Sequence, residues 1–235
     1  MSVWRALLIV YRELDVRLPR GRWLKRHFHH VASVAEIADA IESFQAFPQL
    51  AASLTLGAAK IEPDIITIDS PLRSLSANGN ACYWPSPEDT RGDLDDIAPM
   101  GSYESIFVFW PQNDCTKGTS IPCRGWGLGL AASEWSNGAI YAVVANAPSW
   151  AWHREAPGEV WLHEWLHGIC HHFAAKGFAM PARDADGAEV HGYVRSSVEG
   201  WTAYYRDLMS GNVLENGQKL GIPLAAWHGD PSQAA

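Results

Sequence analysis

His163-Glu164-Trp165-Leu166-His167 spells H-E-x-x-H. Residues four apart on a helix share a face, so the two imidazoles can grip one zinc ion. A glutamate beside the first histidine is then placed to take a proton from a water that the ion activates. The surrounding letters support a helix. Leu162, Trp165, Leu166, Ile169 and Phe173 form an apolar stripe opposite the histidines, Pro157 opens the stretch and Gly177 closes it. A helix with ordinary surface histidines could carry the same letters, and the amphipathic setting argues against that reading.

A catalytic zinc needs a third protein ligand and an open fourth position. His171 lies eight residues beyond His163, about 12 Å along an unbroken helix and too far to share the ion. It and His172 read as exposed or supporting residues. Asp184, Asp186, Glu189 and His191 are the further candidates, and Asp186 leads. Its nineteen-residue separation from His167 lets the helix end at Gly177 and the chain turn back, with Pro181 and Gly187 as breaks. His191 is the main rival, because imidazole is the commonest metal ligand. If Asp186 binds, Glu189 or His191 could instead support the site from behind.

These residues resemble the zincin superfamily of zinc metallopeptidases. The longer metzincin motif fails, since Cys170 stands where it needs Gly and Phe173 where it needs a last His. The gluzincin pattern, with an acidic ligand about twenty residues past the second His, fits Asp186 and Glu189 better. An aspartate in that role is similar to the aspzincins, whose spacing is not reproduced. The motifs cover residues 139–210; the N-terminal part matches only in element order.

The resemblance implies an α+β, zincin-like fold. Its mixed twisted sheet has an edge hairpin and packs on an N-terminal helix and the H-E-x-x-H helix, with a C-terminal helix completing the cleft. One catalytic domain over residues 1–235 is expected, with an upper part at 1–177 and a small lower part at 178–235. The implied function is hydrolysis of peptide bonds in a peptide or protein substrate. Zn2+ would be held by His163, His167 and Asp186, with Glu164 as general base. Tyr193 is a candidate donor to the developing oxyanion, against a merely packed ring. The resemblance also places Ala139–Ala145 at the cleft edge, where an extended substrate would pair with it. Two other readings stand beside this one: hydrolysis of another amide or ester, such as a modified peptide in biosynthesis, and a Trp-rich binding module without catalysis.

The elements that must position these residues follow from local pattern. Ala6 to Val16 reads as a first strand, and Ser33 with Glu36 forms a capping box opening an amphipathic helix. Strands are expected at Ala52–Leu56, Lys60–Asp69 and Ser105–Trp110. Asn137-Gly138 marks a hairpin between Leu128–Trp135 and Ala139–Ala145. A last helix is expected from Ser196 to Met209, ended by Gly211.

Composition bounds the rest. With 235 residues, 47% hydrophobic, the chain can bury a core without covalent staples. A net charge of −8 argues against nucleic-acid binding, and the basic cluster Arg5, Arg12, Arg17, Arg20, Arg22, Lys25 and Arg26 reads as a solvated face. No apolar run approaches the roughly 18 residues of a membrane span. Ala6–Tyr11 lacks the cleavage site of a signal peptide. Twelve tryptophans suggest an aromatic-lined groove. Cys115 and Cys123 flank a loop they could close if the protein is exported, while Cys170 reads as a core residue. Gly125-Trp126-Gly127-Leu128-Gly129 lacks the Lys-Ser/Thr of a phosphate loop and reads as flexible backbone near the cleft. No G-x-S-x-G serine-hydrolase element is present.

Overall fold

Long apolar runs that alternate between two buried faces build the centre of the molecule. The computed structural model describes residues 3–20, 24–79, 82–123, 125–146 and 156–229. Its strands of four or more residues are β1 (Trp4–Tyr11), β2 (Glu13–Arg20), β3 (Leu24–Val31), β4 (Ile61–Ile68), β5 (Ser105–Trp110), β6 (Gly127–Leu130) and β7 (Ile140–Ala145). Its helices are α1 (Val34–Leu54), α2 (Arg91–Ile97), α3 (Glu159–Ala175) and α4 (Thr202–Ser210). The architecture is mixed α+β, with one five-stranded sheet in the order β6-β7-β5-β1-β4. All neighbours are parallel except β6, which runs antiparallel to β7.

Strands buried on both faces read as continuous apolar sequence, which is why SIFVFW and IYAVVA sit at the centre. Ala6, Leu8 and Val10 of β1, with Phe107, Phe109, Ile140 and Val144, meet α1, α3 and α4. Leu7, Ile9, Ile106, Val108 and Val143 meet the opposite layer, made of the β2–β3 hairpin, α2 and the segments around Leu72 and Trp84.

The capping box at Ser33 is present, with Ser33 N–H donating to Glu36 Oε2 at 2.8 Å and Glu36 N–H to Ser33 Oγ at 3.2 Å. Three expectations change. Residues 52–54 continue α1, because Ala51 and Leu54 prolong its buried face; so short an apolar run carries no period of its own. The first strand is two, broken at Arg12, where the continuous apolar pattern gives way to Leu14, Val16 and Leu18 alternating with polar residues. The hairpin forms, but through a one-turn 3-10 helix at Glu134–Ser136 before left-handed Asn137 and Gly138.

Cys123 pairs with Cys82 rather than with Cys115. The Tyr83 N–H donates to Pro122 O at 2.8 Å, aligning the two segments and holding the Cα atoms of Cys82 and Cys123 4.3 Å apart. Cys115 is turned toward the start of α1, its thiol 3.6 Å from Glu36 Oε1. Cys170 is a buried free thiol in α3. Among the basic residues, Arg5 pairs with Glu104 at 3.0 Å, and Arg17, Lys25 and Arg26 are exposed on the hairpin; Arg22 lies outside the described residues. Among the described residues, no helix is long and apolar enough to cross a membrane.

Glycine sets the approach of α3 to the sheet. A Cβ at Gly168 would stand 2.6 Å from the backbone oxygen of Leu130 and collide with Ile140. At Gly92, inside α2, nothing lies within 4 Å of that position. Gly168→Ala should therefore lose about 1–3 kcal/mol by overpacking, while Gly92→Ala gains up to about 1 kcal/mol from reduced chain entropy. Urea unfolding of the two variants checks the opposite signs.

Candidate metal centre

The apolar face of α3 fixes its rotation. Trp161, Leu162, Trp165, Leu166, Ile169 and Phe173 are buried against β1, β5, β7 and α1. Two indoles are also fastened by hydrogen bonds, Trp161 Nε1 to Ser43 Oγ at 3.2 Å and Trp165 Nε1 to Ser105 Oγ at 2.9 Å. Gly158 caps the helix in left-handed geometry, φ 87°, where a Cβ would stand 2.6 Å from the Phe47 nitrogen. With that face committed, His163, Glu164 and His167 turn toward β6 and the segment after the helix.

His163, His167 and Asp186 each bring one ligand atom within 4.8 Å of the others. The Nε2 of His163 is 3.5 Å from Asp186 Oδ1. Both Nδ1 atoms are engaged elsewhere: His163 Nδ1 lies 2.8 Å from the Tyr205 hydroxyl, and His167 Nδ1 lies 2.7 Å from Asp184 Oδ1. A partner on one ring nitrogen fixes the tautomer and leaves the other for a metal. Two imidazoles and a carboxylate, each imidazole held from behind, form a donor set that suits zinc.

Asp184 and Asp186 share a single turn of 3-10 helix. It is held by the Tyr204 hydroxyl donating to Asp184 O, and Gly187 leaves room at its end, where a Cβ would stand 2.7 Å from Ala182 O. Asp186 is thus brought to the histidines, and Asp184 orients one of them. His191 is not part of the group. Its Nδ1 lies 2.7 Å from Gly187 O and its Nε2 3.1 Å from Glu215 Oε2, so its ring ties the lower segment together. Glu189 is exposed and outside the group. The Tyr193 hydroxyl donates to Asp207 Oδ2 at 2.5 Å. His171 is exposed, and His172 packs on Trp4 with ring centroids 5.1 Å apart.

Glu164 is buried beneath the edge strand. A Cβ at Gly127 would stand 2.6 Å from Glu164 Oε1, and one at Gly129 2.9 Å from His167 Cβ. The glycine-rich segment read as flexible backbone is an ordered strand that needs glycine to pass over the site. Ile140–Ala145, expected at the cleft edge, is interior because β5 and β6 pair with its two sides. Tyr205 on α4, which holds His163 from behind, is a supporting residue that no sequence motif marks.

Burial pushes the Glu164 carboxyl up to about 8. Burial, helped by the neighbouring His167, lowers His163 and favours its neutral, metal-ready form. Burial also opposes charge on His167, but the Asp184 hydrogen bond and charge outweigh it and raise its pKa. The chain matches no protein-family model, and no curated protein matches its sequence.

Three substitutions separate ligand from support. Asp186→Ala should weaken metal binding by orders of magnitude, Asp184→Asn by about 10–100-fold, and His191→Ala by no more than a few-fold, as read by chelator competition. A second expectation concerns pH. The folded, metal-free protein keeps the Glu164 proton that the unfolded chain releases above its ordinary pKa of 4.5. Glu164 therefore costs stability progressively as pH rises from about 4.5 to about 8. Melting of Glu164→Gln in a chelator should match wild type at the acid end and exceed it at pH 8.

Proposed function

We propose that this chain is a zinc-dependent hydrolase of peptide bonds with a zincin-like active site. The observation that carries the reading is the convergence of His163, His167 and Asp186 with a buried glutamate next in sequence to the first histidine. His163 and His167 would bind through Nε2 and Asp186 through its carboxylate. When bound, the ion supplies positive charge that polarises a carbonyl, lowers the pKa of a water and keeps Glu164 ionised.

Glu164 takes the proton from the attacking water and returns it to the leaving nitrogen, the task of a general base that then serves as acid. Its position, 4.0 Å from His163 Nε2 through Oε1, puts that oxygen beside the ligand set. Tyr205 and Asp184 hold the imidazoles against rotation while charge develops. Among the described residues, β6 pairs only with β7, so its outer edge suits main-chain pairing with an extended peptide. Gly127 and Gly129 keep that strand slim over the glutamate. Tyr193 has no role in this mechanism, its hydroxyl being held by Asp207.

The aromatic content does not favour a binding module. Among the described residues, Trp4, Trp84, Trp110, Trp161, Trp165 and Trp227 are buried in the core, and only Trp126 and Trp135 are exposed. Digestion of a chromogenic peptide library by zinc-loaded protein tests the proposal. Turnover should vanish with chelator and return with zinc. Glu164→Gln should keep the metal and lose at least about 100-fold in rate; a variant within a few-fold of wild type would remove Glu164 from the mechanism.

A further inference from the structure

Arg183 opens the turn that carries Asp184 and Asp186. It adopts φ 65° and ψ 14°, and Asp184 follows at φ 36°. Left-handed backbone is costly for residues with a Cβ, on the order of 1–3 kcal/mol each, and arginine lacks the short polar side chain that eases it for Asn or Asp. Such strain persists where the surrounding structure or a functional demand holds it. The side chain is exposed, and among the described residues its guanidinium has no hydrogen bond or ion pair. Yet Arg183 lines an open pocket of about 580 Å³ together with His167, Asp184 and Asp186. A strained backbone thus carries a cation, unpartnered among the described residues, at a pocket lined by two of the three candidate ligands, His167 and Asp186.

Three roles can be weighed for that cation. It cannot ligate a metal, having no lone pair to offer. It is poorly suited to stabilise an oxyanion, since that needs donors already fixed in place and nothing fixes this one. An exposed guanidinium without a partner among the described residues is suited to one that arrives with the substrate. Its planar fork matches a carboxylate with two parallel hydrogen bonds.

We propose that Arg183 is a specificity residue that binds a carboxylate of the substrate close to the scissile bond, from either a free C-terminus or an acidic side chain. The inference rests on the hydrolase reading above, of which it names the substrate class. It makes this site selective for anionic peptides although the chain itself carries a net charge of −8.

Calorimetry on the zinc-loaded protein tests it without turnover. Acetohydroxamate offers only a metal-binding group; the malonic, succinic and glutaric monohydroxamates add a carboxylate on one, two or three methylenes. One of the three should bind about 10-fold or more tightly than acetohydroxamate, the scale of a charged hydrogen-bonded pair. In Arg183→Gly that ratio should fall to about 1, while Arg183→Lys, which keeps charge without the fork, retains part of it. Arg183→Gly relieves the left-handed strain and should melt no lower than wild type, so loss of the ratio cannot be ascribed to misfolding.

Peptide pairs differing only in C-terminal amidation, or only in Asp against Asn, then assign the source: the change Arg183 senses raises KM in wild type and not in Arg183→Gly. Equal affinity for all four hydroxamates would overturn this inference alone. Failure of every hydroxamate to bind would take down the metal-site reading and this inference with it.

Discussion

The closeness of α3 to the two strands above it is the constraint on which the candidate site depends. Helix and sheet normally stand apart by the thickness of their side chains. Here Gly168 on the helix faces Ile140 and Leu130, while Gly127 and Gly129 on β6 face Glu164 and His167. Glycine on both partners lets backbone approach backbone. That contact shields the Glu164 carboxyl from water without surrounding it with bulky groups. The buried acid, its raised pKa and the thin strand beside it are consequences of one packing choice.

Electrostatic order follows from that packing. The two histidines have different supports: a neutral phenol for His163 and a carboxylate for His167. Their protonation tendencies diverge accordingly, one lowered chiefly by burial, the other raised because Asp184 prevails over burial. A cation approaching the group meets one imidazole biased toward its neutral form and one whose proton the neighbouring carboxylate holds more tightly. Arg183, at the rim, is a positive group without a structural partner among the described residues.

Local features were legible in the sequence and non-local ones were not. The Ser33–Glu36 box, the buried run Ser105–Trp110, the helix around H-E-x-x-H and the stop at Gly211 are each written within a few neighbouring residues. Spacing also singled out Asp186, because the distance the chain needs to turn back is itself local arithmetic. Tyr205 reads from the sequence as a core-packing ring, because its contact with His163 spans 42 residues and nothing in its own neighbourhood marks it. The Cys82–Cys123 pair, the interior position of Ile140–Ala145 and the purpose of Gly127 and Gly129 all depend on which segments meet. Hydrophobic period reports a buried face but not the partner that buries it. The second strand, Glu13–Arg20, was visible in retrospect, since its alternating pattern differs from the unbroken apolar run before Arg12.

One short turn joins two duties. Asp184 and Asp186 are separated by a single residue on a 3-10 helix, one orienting a ligand and the other reaching the ligand group itself. Support and ligand therefore move as one rigid piece: a shift of this turn displaces the third donor and releases the second histidine together. The site thus ties α3 to the segment after it through both aspartates. Loss of either aspartate should alter what the other contributes, so their effects on metal binding will not add. A bound ion would act as the rivet of that tie, stabilising the attachment of the lower segment in proportion to its own affinity and concentration.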